Sequence, residues 1–181
     1  MKKTLLSILL SAIAFSINAQ QLYNLTKGEI TFFSKTPVED ISAKNVKPAS
    51  LINLATLDIV VQMQIVHFKF PNSLMEEHFN ENYMESAKYP KANFTGKINE
   101  NIDYTKDGAY KITATGKLTI HGVTKNVTLT GTLTKKGTNL TLISEFDVAL
   151  ADYNIEIPSI VFQKIAEKIK VHANMIYDQK K

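Results

Sequence analysis

Long runs in which apolar and polar residues alternate are the feature that most constrains the fold of this chain. One run extends from Leu57 to Ile65, and four later segments repeat its period, at 110–120, 127–134, 140–148 and 169–177. Because successive side chains of a strand point to opposite faces, this period predicts strands with one dry and one wet face. The sequence therefore predicts a strand-rich domain.

Short turn sequences that contain glycine separate several of these runs. Asp107-Gly108, His121-Gly122 and Lys135-Lys136-Gly137 are each expected to reverse the chain, because glycine tolerates positive φ. Many strands joined by short turns, with little helix for crossovers, favour an antiparallel sheet that curls or closes. We predict an all-β fold, an extended antiparallel β-barrel with one or two short helices.

Two segments have the pattern of those short helices. Ser73 and Glu76 form a capping-box pattern at the start of a segment that reaches Met84, and its apolar residues fall at helical spacing. A second helix is predicted from Ser159 to Glu167, directly after Pro158. Both are expected to lie on the sheet.

The first residues read as a secretion signal. Lys2 and Lys3 precede an apolar run from Leu5 to Ile17, and we predict cleavage after Ala19. This divides the chain into a signal peptide, 1–19, and a single domain, 20–181, that works in the periplasm or is secreted. No later stretch approaches the roughly 18 to 20 apolar residues that a spanning helix needs, so stable membrane insertion is not expected.

The composition excludes some classes of function. The chain of 181 residues has no cysteine, so burial rather than disulfides must hold the fold. All 21 basic residues are lysines, mostly scattered singly, and removal of the signal lowers the formal net charge of +4 by two. Without arginine there is no bidentate grip on phosphate or guanine, so we do not expect nucleic-acid binding.

Three blocks resemble the YceI-like family of periplasmic lipid-binding proteins. The first runs from Phe68 to Phe94, the second from Gly116 to Val127, and the third from Phe146 to Ile155. The second contains Gly-Lys-Leu-Thr-Ile-His-Gly-Val-Thr, similar to a hairpin of that family. The third lacks the arginine and glycine that the family often has there, which implies either a different way of orienting a ligand head group or another ligand.

The resemblance implies a lipocalin-like barrel that binds a long-chain isoprenoid or fatty-acid-like lipid without any enzymatic reaction or cofactor, and it leaves a homodimer open. Inward-facing residues of the strands and the first helix would then line a ligand cavity. We predict that the ligand-binding residues are Phe32, Val61, Met63, Ile65, Phe68, Phe70, Met75, Phe79, Tyr83, Met84, Phe94, Ile112, Leu118, Ile120, Leu129, Leu142, Phe146 and Met175.

Two other interpretations remain open on the sequence alone. In one, side chains fill the barrel, and the protein is an interaction module of the cell envelope. In the other, a metal or haem is bound around His67, His78 and His121, although none has a partner at the usual ligand spacing. No serine-nucleophile elbow, cysteine nucleophile or phosphate loop appears, so catalysis is not expected. The spacing of the histidines makes a metal site the least favoured interpretation.

Overall fold

Nine antiparallel strands form one sheet in the described chain, which comprises residues 21–101, 103–158 and 165–180 of a computed structural model. They are β1 (Leu22–Lys35), β2 (Asp40–Asn45), β3 (Ala49–Asn53), β4 (Asp58–Gln64), β5 (Lys91–Ile98), β6 (Gly108–Ile120), β7 (Val123–Lys136), β8 (Asn139–Ala149) and β9 (Lys168–Gln179). β1 pairs with β9 and thereby closes eight of these strands into a barrel. The predicted all-β antiparallel barrel is confirmed.

The ninth strand, β2, fills a place where β1 changes partners. β1 pairs with β3 near its start, at Leu22–Asn24, and with β2 near its end, at Ile30–Lys35. The wall continues beyond β2 because Lys44 and Lys69 form a backbone bridge. The buried side chain of Asn45 donates a hydrogen bond to the carbonyl oxygen of Gln64 at 2.9 Å, which fixes β2 against β4.

Burial along the strands follows the alternation in the sequence. In β6, Ile112, Ala114 and Leu118 are buried, whereas Lys111 and Lys117 are exposed. A pair of glycines lets β5 and β6 approach closely: a Cβ atom on Gly116 would lie 2.3 Å from the carbonyl oxygen of Thr95 and 2.4 Å from the Cα of Gly96. Only glycine fits where two backbones come this near.

Two of the three predicted turns reverse the chain as expected. His121 and Gly122, with φ of 50° and 73°, join β6 to β7, as expected for a two-residue hairpin loop. Gly137, with φ of 59°, lies between β7 and β8. The prediction for Asp107-Gly108 was wrong, because Gly108 already begins β6 and the reversal is the longer connection after Ile98. Asp107 instead accepts a hydrogen bond from the backbone N–H of Gly137 at 2.9 Å.

The first predicted helix is present but is shorter and capped differently. It comprises α1 (Ser73–His78) and a π-helical turn (Phe79–Tyr83), and Met84 lies just beyond. Asn72, not Ser73, is the N-cap residue, since its Oδ1 accepts from the backbone N–H groups of Leu74 and Met75.

Glu76 does not complete the predicted capping box. Its carboxylate pairs with Lys69 and accepts from the backbone N–H of Phe70, so it ties α1 to the preceding segment. The hydrogen bond with Lys69 lowers the pKa of Glu76. Of the second predicted helix, residues 159–164 lie outside the described chain, and residues 165–167 form neither helix nor strand.

The two ends of the barrel are packed differently. We call the end with the β3–β4 and β7–β8 turns the packed end, and its fully buried side chains include Ile52, Ile98, Leu133, Leu140 and Tyr177. The opposite end, the cavity end, carries α1, the His121–Gly122 turn and a 3-10 turn at Leu150–Tyr153. Side chains therefore fill only the packed end of the barrel.

Candidate functional site: a cavity in the barrel

A cavity of about 450 Å³ occupies the cavity end of the barrel. Strands β1, β4, β6, β8 and β9 supply one part of its wall, and α1 with the π-helical turn supplies another. A smaller cavity of about 80 Å³ extends toward the packed end and shares Ile30, Met63, Leu118, Phe146 and Val171 with the first. A space of this size and apolar character is typical of a small-molecule site.

Four phenylalanines form one side of the larger cavity. Phe79 of the π-helical turn lies over Phe32, Phe68 and Phe70, with ring centroids 5.4 Å, 5.7 Å and 5.1 Å away. Such edge and offset contacts are favourable for aromatic rings. The helical segment, which comprises α1 and the π-helical turn (residues 73–83), is thus held to the barrel by the same side chains that line the cavity.

Few polar side chains reach the lining of the larger cavity. Ser34 is buried, and its Oγ accepts a hydrogen bond from the backbone N–H of Ala166. Asn72 caps α1, and Glu39 and His78 also contribute to the wall. Burial raises the pKa of Tyr83. Most of the wall therefore offers apolar contacts, which suit the apolar part of a ligand.

All the residues predicted to bind a ligand line one of the two cavities. The larger cavity has Phe32, Met63, Ile65, Phe68, Phe70, Met75, Phe79, Tyr83, Met84, Leu118, Ile120 and Phe146. The smaller cavity alone has Val61, Phe94, Ile112, Leu129, Leu142 and Met175. Their contact with a ligand stays a prediction.

Sequence reasoning missed several lining residues. The alternation that includes Phe32 also points to Ile30, and the run that contains Met175 also points to Ile169 and Val171. Leu150 and Ile155 carry no such signal, because they lie in an irregular segment after β8. The remaining missed residues of the larger cavity are Ser34, Glu39, Ile41, Asn72, Leu74, His78, Ala92, Val148 and Ile165, and those of the smaller cavity are Ile59, Asn93, Ala114, Thr130, Gly131, Ser144 and Ala173.

The histidines do not come together as a metal site. His78 lines the cavity, whereas His121 hydrogen-bonds Glu85 and the backbone carbonyl of Tyr153. Within the described residues, no three side chains of His, Asp or Glu form a group that could hold a metal ion. The same part of the chain has no helix that is long and apolar enough to cross a bilayer.

The sequence profile of the YceI-like domain family matches residues 10–177, which is nearly the whole chain. The chain belongs to the YceI-like family. No curated protein matches it.

Solved structures share the fold at low sequence identity. A polyisoprenoid-binding domain from Saccharophagus degradans, implicated in plant cell wall breakdown, has a TM-score of 0.72 at 15% identity, over 87% of this chain and 98% of that one. BcnA of Burkholderia cenocepacia has a TM-score of 0.70 at 16% identity, over 82% of this chain and 95% of that one. The YceI protein of Campylobacter jejuni has a TM-score of 0.61 at 17% identity, over the full length of both.

Proposed function

We propose that this protein binds a long-chain amphiphile, a polyisoprenoid or a fatty-acid-like lipid, and carries or stores it outside the cytoplasm without changing it chemically. The apolar cavity of about 450 Å³ is the observation that carries this proposal. Membership of the YceI-like family supports it, as does the similar fold of the S. degradans domain described as polyisoprenoid-binding. The location rests on the predicted signal peptide.

Apolar contact alone provides enough free energy for useful affinity. Burial of about ten methylene groups at roughly 0.8 kcal/mol each contributes about 8 kcal/mol before the costs of association. Met63, Met75 and Met84 in the wall are flexible and polarisable, so the lining can adapt to chains of different shape. The alternative of an interaction module requires a filled barrel, and side chains fill only the packed end.

Analysis of the bound lipid tests the proposal directly. Solvent extraction and mass spectrometry of the protein purified from its native envelope should find one long-chain lipid per barrel. A protein that is repeatedly empty, and that takes up no long-chain probe afterwards, would contradict the proposal.

Substitutions in the wall test where the ligand binds. Met63→Asp and Phe146→Asp each place a carboxylate in the lining shared by both cavities and should abolish uptake of a fluorescent fatty-acid probe. Lys136→Ala, at the exposed end of β7, should leave uptake unchanged. Circular dichroism of each variant confirms folding, and equal uptake by all three folded variants would refute the assigned site.

A further inference from the structure

Strand pairing stops part-way along two neighbouring strands of the barrel wall, β7 and β8. These strands pair only where Gly131–Lys136 face Asn139–Ser144. Within the described chain, residues 123–130 of β7 pair with β6 alone, and residues 145–149 of β8 pair with β9 alone. The split begins next to a hydrogen bond from Ser144 Oγ to the carbonyl oxygen of Thr130, at 2.6 Å. The two strands therefore part toward the cavity end.

A short irregular segment occupies this split. We call residues 150–155 the plug; they include the 3-10 turn Leu150–Tyr153, which lies near both β7 and β8. Tyr153 and Ile155 are buried, and Leu150 and Ile155 line the larger cavity. Phe146 and Val148, on the part of β8 that pairs with β9 but not with β7, line this cavity as well. Plug side chains thus take the place of a strand ladder in this part of the wall.

The ring of His121 holds the plug. Its Nδ1 lies 3.1 Å from the backbone carbonyl oxygen of Tyr153, and since a carbonyl only accepts, Nδ1 donates. Its Nε2 lies 2.9 Å from Oε2 of Glu85, which follows the π-helical turn. His121 therefore connects the β6–β7 turn to two separate segments, the plug and the helical segment.

Backbone strain is concentrated around this ring. His121, Glu85 and Asn154 have φ of 50°, 40° and 54°, a left-handed conformation that non-glycine residues rarely adopt. Strained conformations persist only when surrounding contacts enforce them, and they cluster at segments that move or bind. His121 hydrogen-bonds Glu85 and the carbonyl oxygen of Tyr153, the neighbour of Asn154, so its contacts join the three positions.

We propose that the plug is a lateral gate, whose displacement from between β7 and β8 admits the chain of the amphiphile to the cavity. The bond from His121 to Tyr153 holds the gate shut. Opening between ladder-paired strands would break ladder hydrogen bonds, and opening between β2 and β4 would break the Lys44–Lys69 bridge and the Asn45–Gln64 bond. Opening here leaves the ladders intact and breaks the contacts of the plug, which include the bond from the backbone N–H of Leu150 to the carbonyl oxygen of Glu167. The role in ligand entry rests on the proposed function, but the mobility of the plug does not.

The variant His121→Asn tests the gate without disturbing the turn. Asn-Gly is a favoured two-residue hairpin loop, and asparagine tolerates the left-handed conformation. Its shorter side chain leaves the carbonyl of Tyr153 without its partner. We expect amide hydrogen exchange in peptides covering the plug to become about fivefold faster, the factor that one lost hydrogen bond implies. Association and dissociation rates of a fluorescent fatty-acid probe, measured by stopped flow, should rise by a similar factor at nearly constant Kd.

Glu85→Asn is the matched control, because it removes the bond between His121 and the helical segment, together with an exposed ion pair to Lys88, and leaves the bond to Tyr153 in place. Exchange in the plug and the probe rates should then equal those of the wild type. The gate is contradicted if His121→Asn leaves amide exchange in the plug unchanged, or if both variants accelerate binding and release of the probe equally. In the second case the helical segment would be the route of ligand entry. Failure of the wild type to bind the probe would overturn the proposed function, while exchange measured without probe still decides whether His121 holds the plug.

Discussion

Tyr177 places a phenol hydroxyl group in the packed end of the barrel. The residue is fully buried, and its hydroxyl group lies 2.8 Å from Ser50 Oγ and 3.3 Å from the sulfur of Met175. Burial disfavours the phenolate and raises the pKa of Tyr177 to about 12, although the hydrogen bond with Ser50 acts in the opposite direction. The packed end therefore depends on a proton that is lost only in strong alkali.

Stability should fall steeply in alkali because of this residue. The folded pKa of Tyr177 lies above the ordinary value of 10.0, so its contribution is complete below pH 10 and is lost as the pH rises through about 12. At about 1.4 kcal/mol per pKa unit, the difference between 10.0 and about 12 corresponds to roughly 3 kcal/mol. Urea unfolding at pH 8 and pH 11.5 measures it.

Tyr177→Phe is the control for this prediction. At pH 8 it should cost about 1 kcal/mol for the lost hydrogen bond, since Ser50 keeps its bond to the carbonyl oxygen of Val60. The variant should lose less stability than the wild type between the two pH values, because it lacks the phenol whose pKa is raised. The same loss in both proteins would show that Tyr177 does not titrate with a raised pKa.

At the scale of elements, the segment from Asn72 to Tyr83 is stabilised by a side-chain cap at its start and by aromatic packing at its end. Asn72 starts α1 through its side chain, whereas Phe79 holds the π-helical turn to the barrel through its ring. A helix of six residues is not stable in isolation, so tertiary contacts must supply most of its stability. Loss of the cap should therefore loosen the start of α1 without unfolding the barrel.

Asn72→Ala should lower the free energy of unfolding by about 1 kcal/mol and accelerate amide exchange at Leu74 and Met75. Asn72→Asp keeps an accepting oxygen and should resemble the wild type. Denaturant unfolding and hydrogen exchange measure the two effects. If Ser73→Ala is costly and Asn72→Ala is not, the helix begins with the capping box that the sequence predicts and not as the structure shows.

The strands could be predicted from the sequence because their period is a local property that burial on one face imposes. The same period placed lining residues such as Met63 and Phe146 correctly in the wall. The π-helical turn and the split between β7 and β8 could not be predicted, since they depend on contacts between distant segments. The cap at Asn72 is local, but Ser73 and Glu76 form a competing capping pattern beside it. His121 shows this clearly: its partners, Glu85 and Tyr153, are 36 and 32 residues away.

At the scale of the whole molecule, one end of the barrel supplies stability and the other supplies space. Side chains interlock at the packed end, where Leu133 and Leu140 are fully buried. At the cavity end, side chains such as Leu118 are shielded from water but border on empty volume. Such side chains lack neighbours on one side and forgo part of their dispersion energy. A protein that fills its cavity with ligand would recover this energy on binding.

One substitution made at both ends tests this division. Leu140→Ala removes a fully packed side chain and should cost about 4 kcal/mol of unfolding free energy, whereas Leu118→Ala enlarges an existing cavity and should cost about 2 kcal/mol. Guanidinium unfolding of the ligand-free proteins measures both. In a probe titration, Leu118→Ala should change the affinity and Leu140→Ala should not. Equal costs of unfolding would mean that the cavity end is as tightly packed as the other, and the asymmetry on which the binding site rests would be absent.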